Sequence, residues 1–142
     1  MTGNGLEDLE METTRQGTNA VNEKLQTNID NIYALGDVTG GIELTPVALA
    51  EAMTLVNHWY GDSTKYMDYN LIPTAVFTQP NVGTIGLTEH QALKEHGEIT
   101  VYRSDFKPMK HTLSGSNERS FMKLIVDTTS DRVIGLHIVG EG

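Results

Sequence analysis

Nineteen carboxylates, five histidines and not one cysteine set the chemistry open to these 142 residues. The lack of cysteine removes a disulfide framework, a zinc-thiolate centre, an iron–sulfur cluster and any thiol nucleophile from the chain. None of the histidines falls into an H-x-x-x-H or H-E-x-x-H arrangement, and His90 and His96 are six apart, which turns them to different faces of one short helix. No metal site is expected on that basis. His58 suits the negative end of an apolar helix and reads as structural, while His111 and His137 read as satisfied polar residues. Gly115-Ser116-Asn117 lacks the G-x-S-x-G elbow of a serine nucleophile, so no catalytic residue is assigned.

The stretch from Thr27 to Ala50 is richer. A short apolar run ends in Gly36-Asp37, a Gly40-Gly41 loop follows, and a nearly all-apolar helix opens at Thr45-Pro46. A carboxylate beyond the carboxyl end of a strand in an open α/β sheet can accept hydrogen bonds from sugar or polyol hydroxyls, and Asp37 takes that place. Gly36 permits close backbone approach. The helix start at Thr45 brings free N–H donors and a partial charge of about +0.5 to bear on an electron-rich group.

The elements that hold these residues follow from pattern. Asn31 to Leu35, β-friendly at Ile32 and Tyr33 and stopped by Gly-Asp, predicts a buried strand. Thr45 to Tyr60 predicts a helix with Thr45 as N-cap, Pro46 at the first helical position and Gly61 as its stop. Its residues leave almost no polar face, so it is expected to be buried on several sides, by more protein than the preceding residues supply. Asp62 to Asn70 reads as a polar linker, with a boundary near residue 70. Beyond it, strands are expected at Thr74–Phe77, Gly83–Leu87, Ile99–Tyr102, Phe121–Val126 and Val133–Val139, the last two a hairpin around Asp127-Thr128-Thr129-Ser130-Asp131. Thr88-Glu89-His90-Gln91 fits a capping box whose helix Gly97 closes. The fold class is therefore α+β with an antiparallel sheet.

Composition agrees with a globular chain: 38% of residues are hydrophobic and 20% charged. A formal charge of -9 disfavours a nucleic-acid partner. The acidic stretch Glu7, Asp8, Glu10 and Glu12 reads as a solvated face within a polar first 30 residues. No apolar run reaches the roughly 18 residues of a membrane span, and Met1-Thr2-Gly3-Asn4-Gly5 does not look like a secretory leader, so a cytoplasmic setting is expected.

Thr27 with Ile32-Tyr33-Ala34-Leu35-Gly36-Asp37-Val38 resembles the second FAD-binding motif of the pyridine nucleotide–disulfide oxidoreductases, and Leu44-Thr45-Pro46-Val47-Ala48 resembles their glutathione reductase branch. Lipoamide dehydrogenases carry a Met-Leu-Ala-His type of run at that place. Further likeness runs in order through Ile72 to Phe77, Gly83 to Glu89, Phe106 to Met109, Met122 to Leu124 and Val133 to His137. The resemblance implies a tail of the NADPH domain over residues 1–26, the end of an FAD-binding α/β domain over 27–70, and most of an antiparallel α+β dimerisation domain over 71–142. It implies that Asp37 binds the ribityl chain or adjoining hydroxyls of FAD, and that the Thr45 amide faces the pyrimidine edge of the flavin, with Gly36, Leu44 and Pro46 alongside. Glu43, Ala75 and Phe77 are its implied contacts to the nicotinamide of NADPH. Glutathione disulfide is the implied substrate of the parent enzyme and a homodimer its implied assembly.

The family pattern also needs a G-x-G-x-x-G, a redox cysteine pair, a second nucleotide-binding unit and a final His-Pro-Thr segment with its Glu, and none occurs here. The chain is therefore expected to be an internal or truncated piece, inactive by itself and a poor binder of flavin. Where several glutathione reductases have Gly-Arg on the apolar helix, this chain has Ala52-Met53, which leaves open a different low-molecular-weight disulfide. A stand-alone, non-catalytic dimerisation or interaction module is the remaining alternative.

Overall fold

The computed structural model describes residues 5, 7–62 and 64–141. The leader reading at Met1 to Asn4, one position of the 62–70 linker and Gly142 lie outside them. The chain divides into two compact units, Met1–Asp68 and Tyr69–Gly142.

The second unit is one five-stranded antiparallel sheet in the order β1-β2-β5-β4-β3. Its strands are β1 (Thr74–Val76), β2 (Val82–Gly86), β3 (Ile99–Phe106), β4 (Ser120–Asp127) and β5 (Arg132–Val139). Each expected strand is present within a few residues, β3 reaching four residues beyond its expected end because it pairs with β4 from Ile99↔Asp127 to Phe106↔Ser120. The β4–β5 pair is closed by a turn that Asp127 organises: its carboxylate accepts from the Thr129 amide at 3.2 Å and from the Ser130 hydroxyl.

Helix α2 (Glu89–His96) starts as the sequence predicts. Thr88 Oγ1 accepts from the Gln91 amide at 3.3 Å, Gln91 Oε1 accepts from the Thr88 amide at 3.0 Å, and Gly97 caps the other end. The helix packs on β3, β4 and β5, burying Ala92 against a face whose centre is Ile125. Glu89 ties it down: its carboxylate takes two hydrogen bonds from Arg103, at 2.9 and 3.1 Å, and one from Lys123 at 3.4 Å. Burial raises the Glu89 pKa, but these two cations outweigh it and hold the carboxyl below its ordinary value. His137 is satisfied as expected, by Thr84 Oγ1 at 2.5 Å and the Leu87 carbonyl at 3.0 Å. On the opposite face Tyr102, Leu124, Leu136 and Ile85 stand in register, with no helix of this unit over them among its described residues. A one-turn helix, α3 (His111–Ser114), was not anticipated.

In the first unit the structure corrects one element. No strand forms over Asn31 to Leu35; among the described residues this segment takes part only in an isolated bridge, Gln26↔Tyr33. A ladder needs neighbours along its length, and the pairing here stops after the Thr27 amide bonds the Ile32 carbonyl and the Ala34 amide bonds the Leu25 carbonyl, both at 3.0 Å. Thr27 knots this turn, donating its hydroxyl to the Ile32 carbonyl at 3.0 Å and accepting from the Ile29 amide at 3.1 Å. Gly36–Thr39 then forms a single 3-10 turn. Helix α1 spans Thr45–Tyr60 and stops at Gly61.

Candidate cofactor-binding site

The N-terminus of α1 is where the structure and the simple capping argument part. The N-cap is Leu44, in an extended conformation (φ -129°, ψ 129°), and no side chain caps the helix. Thr45 and Pro46 are thus already helical, each one place further in than expected. The reason is local: the Leu44 carbonyl accepts from the Val47 and Ala48 amides at 2.9 and 3.1 Å, which makes Leu44 the residue half inside the helix. An apolar side chain there cannot bend back to the first-turn amides. Pro46 has no N–H to give, and the Thr45 amide has no acceptor among the described residues. The helix start is exposed at Thr45 and Pro46 and therefore offers an open donor with the helix's positive end behind it.

The turn bearing Asp37 is fixed against this helix by a residue that the sequence reading passed over. Glu51, with 3% of its surface exposed, accepts the Gly36 amide at 2.7 Å. Its signal in the sequence is that it is the one acidic residue in α1. An acid amid apolar neighbours on a buried face needs a donor partner, since burying an unpaired carboxylate is prohibitive. Gly36 has φ +70°, and a Cβ added to it would lie 3.2 Å from the Ala48 Cβ, so the lack of a side chain is what lets the turn rest on the helix. Thr39 closes the turn by donating its hydroxyl to the Gly36 carbonyl at 2.8 Å, and the Asn19 amide bonds the Val38 carbonyl at 2.9 Å from the other side. Asp37 is left exposed, its carboxylate free of any hydrogen bond among the described residues.

Gly36, Asp37, Leu44, Thr45 and Pro46 are thus carried by one packed turn-and-helix unit. Glu43, exposed, directly precedes the N-cap. Ala75 lies in β1 and Phe77 just past it, both in the second unit and exposed, Phe77 by 88%. The chemistry of the first group suits a flavin nucleotide: a carboxylate for hydroxyl donors, an amide with no partner for an electron-rich ring edge, and a glycine where a Cβ would intrude.

His58 lies in the last turn of α1 with its ring 5.3 Å from that of Tyr66, and its buried Nε2 has no hydrogen-bond partner among the described residues. His111 departs from the expectation of a satisfied polar residue, because its buried Nε2 has no hydrogen-bond partner among the described residues. Among the described residues, no helix is long and apolar enough to cross a membrane.

α1 meets the expectation of an apolar face that its own unit does not cover: Val47 and Leu55 are buried, yet Leu49 is 63% exposed and Trp59 49%. Trp59 meets two rings edge-on, Tyr33 at 4.9 Å and the adjacent Tyr60 at 6.3 Å.

Comparison with known proteins identifies the family. Residues 72–142 match the family model for the pyridine nucleotide-disulphide oxidoreductase dimerisation domain, and residues 2–52 match the pyridine nucleotide-disulphide oxidoreductase model. The chain is 44% identical over 137 residues to a chloroplastic/mitochondrial glutathione reductase of Pisum sativum, covering 96% of this chain and 25% of that one. It is 40% identical over 137 residues to a trypanothione reductase of Trypanosoma congolense, covering 96% of this chain and 28% of that one. Among solved structures, an HOCl-induced flavoprotein disulfide reductase from Escherichia coli superposes with a TM-score of 0.82 at 27% identity, over 92% of this chain and 30% of that one. The chain thus spans about a quarter of the length of the curated relatives it matches.

Proposed function

The chain belongs to the pyridine nucleotide-disulphide oxidoreductases, and we propose that it supplies the flavin-facing turn and the dimerisation sheet of an FAD- and NADPH-dependent glutathione-disulfide reductase. The observation that carries this reading is the clamp between Glu51 and Gly36, which holds the exposed Asp37 on a turn packed against the open start of α1. FAD, when bound, supplies the acceptor for a hydride from NADPH and passes the electron pair on to a disulfide.

Each residue has a part. Asp37 accepts hydrogen bonds from the polyol hydroxyls of the cofactor. Thr45 donates its unpaired amide to the pyrimidine edge, and the positive end of α1 favours negative charge developing there. Pro46 keeps a second donor from competing, while Gly36 and Leu44 shape the backbone that the ring rests on. Glu43, with Ala75 and Phe77, contacts the nicotinamide of NADPH. Residues 1–26, 27–70 and 71–142 are the NADPH-domain tail, the FAD-domain end and the dimerisation domain. In the last of these, the open apolar face at Tyr102, Leu124, Leu136 and Ile85 fits a homodimer contact. The setting we propose is cytoplasmic.

One departure bears on the substrate. Ala52-Met53 presents an apolar side chain, 59% exposed at Met53, where a cation would meet a substrate carboxylate. With the likeness to a trypanothione reductase, this favours a modified glutathione disulfide as the second reading.

The test is purification of the native protein from its source on an antibody raised against residues 106–120, followed by absorbance and turnover. A flavin spectrum with NADPH-dependent reduction of glutathione disulfide is expected, and an Asp37→Ala variant should lose at least tenfold in FAD retention. Faster turnover of trypanothione disulfide than of glutathione disulfide would select the second reading. A colourless protein without NADPH oxidation would overturn both and point to an interaction module.

A further inference from the structure

A second cluster of donor atoms lies in the second unit. His111 in α3, Glu118 just before β4 and Glu141 just after β5 each direct one ligand-type atom into a common space, all within 4.8 Å of one another. They line a cavity of about 360 Å³ whose wall also includes Gln79, Arg119 and Ser120. Spacings of seven and twenty-three residues follow no local metal motif, which is why the histidine pattern in the sequence assigned none.

The imidazole is the informative member. Its side chain is only 10% exposed, and its Nε2 is closed to solvent with no hydrogen-bond partner among the described residues. The nearest carboxylate oxygen, Glu118 Oε2, stands 3.7 Å away, beyond hydrogen-bond reach. A buried nitrogen left without a partner is costly, and one aimed at two carboxylates has a natural third party. Glu118 and Glu141 are 61% and 53% exposed, so both side chains have room to close on an ion held at about 2.0–2.2 Å from each ligand. Two charged groups compete. Lys110 Nζ lies 3.5 Å from Glu141 Oε2 and must give way, whereas Arg119 is already committed to Asp105, its Nε bonding Oδ1 at 2.6 Å.

We propose that His111, Glu118 and Glu141 form a binding site for one divalent first-row transition-metal cation. One imidazole nitrogen and two carboxylate oxygens neutralise a doubly charged ion and leave its remaining positions to water. The imidazole favours zinc, manganese or iron over magnesium, which prefers all-oxygen sites. Bound there, the ion would clip the α3–β4 connection to the end of β5.

The test is calorimetric titration of the untagged 142-residue chain with Zn²⁺, with Mg²⁺ as control, while the His111 ring signals are followed by NMR. Expected are one Zn²⁺ per chain, a shift of the His111 resonances on binding, and affinity at least tenfold weaker in both Glu118→Gln and Glu141→Gln. His111→Ala should abolish binding; should that variant fail to fold, the two glutamine variants decide, because both positions are exposed. Equal affinity in wild type and glutamine variants would mean general binding by an acidic surface and would overturn the proposal. So would unshifted His111 signals, or a Mg²⁺ response equal to that of Zn²⁺.

Discussion

The two units hold themselves together in different ways. In the Tyr69–Gly142 unit, hydrogen bonds run in ladders between strands, and each strand finds its partners within the same unit. In the Met1–Asp68 unit they run within turns, around Thr14, Asn22, Thr27 and Gly36, with one long helix whose apolar face is partly wet. An antiparallel sheet built from neighbouring segments closes on itself, whereas a strand from a doubly wound sheet depends on neighbours far away in sequence. The residues proposed to face the flavin are therefore carried by the more weakly anchored unit, at one point of strong attachment.

The largest expected effect tests the sheet. A Cβ at Gly135 would sit 2.2 Å from the Leu87 carbonyl oxygen, a backbone atom that cannot move without breaking the β2–β5 pairing. Gly135→Ala should destabilise the second unit by about 3 kcal/mol or more, read as lost hydrogen-exchange protection in β4 and β5. Retained protection would show that the sheet yields more easily than its register implies.

Glu51→Ala strikes the corresponding point of the first unit. It leaves the Gly36 amide without its acceptor and should cost about 2 kcal/mol, seen as faster exchange over residues 34–52 with the sheet unchanged. If Gly36 keeps its protection, the turn is held by Thr39 and Asn19 instead. A smaller effect, about 1 kcal/mol, is expected from Thr88→Ala, which removes one arm of the α2 capping box. Denaturant midpoints measure it, and addition of Gln91→Ala should cost less than a separate site would, since the two residues act together.

The smallest effect is an acid one. The hydrogen bond from Ser130, opposed by burial and helped by the Thr129 amide and His96, holds the Asp127 carboxyl below its ordinary value. A carboxyl lowered on folding contributes its full stabilisation at a pH above the unfolded value of about 3.9, and that contribution is lost as the pH falls through the folded value. Asp127→Asn should flatten the acid limb of the stability curve below about pH 4 and leave the neutral region less stable. An unchanged acid limb would place the acid sensitivity of the sheet elsewhere, at Glu89 first.

Much of the second unit was legible because its signals are local. Strand-forming runs bounded by turn residues marked the strands, Thr88 with Gln91 marked a helix start, and Asp127 to Asp131 marked the hairpin. The limits of α1 were legible from Pro46 and Gly61, but its cap was not: Thr45 has the right side chain for an N-cap, while the Leu44 carbonyl takes the bonds that define one. The strand at 31–35 failed because β-friendly residues cannot make a strand without a ladder. Glu51 was overlooked because one acid in an apolar helix says nothing of its partner fifteen residues back.

By itself the sequence determined what the chain can and cannot carry. It has no thiol for a disulfide relay, a carboxylate after Gly36, an apolar helix opened by Thr-Pro, and the short strand-forming runs of an antiparallel sheet. Tertiary structure alone decided which groups meet. It set Glu51 against Gly36, left the Thr45 amide open, and drew His111, Glu118 and Glu141 together. The physical reason is range: propensity, capping and turn signals act over a few residues, while a buried charge or an unpartnered nitrogen is settled by whatever the fold brings within about 3 Å of it.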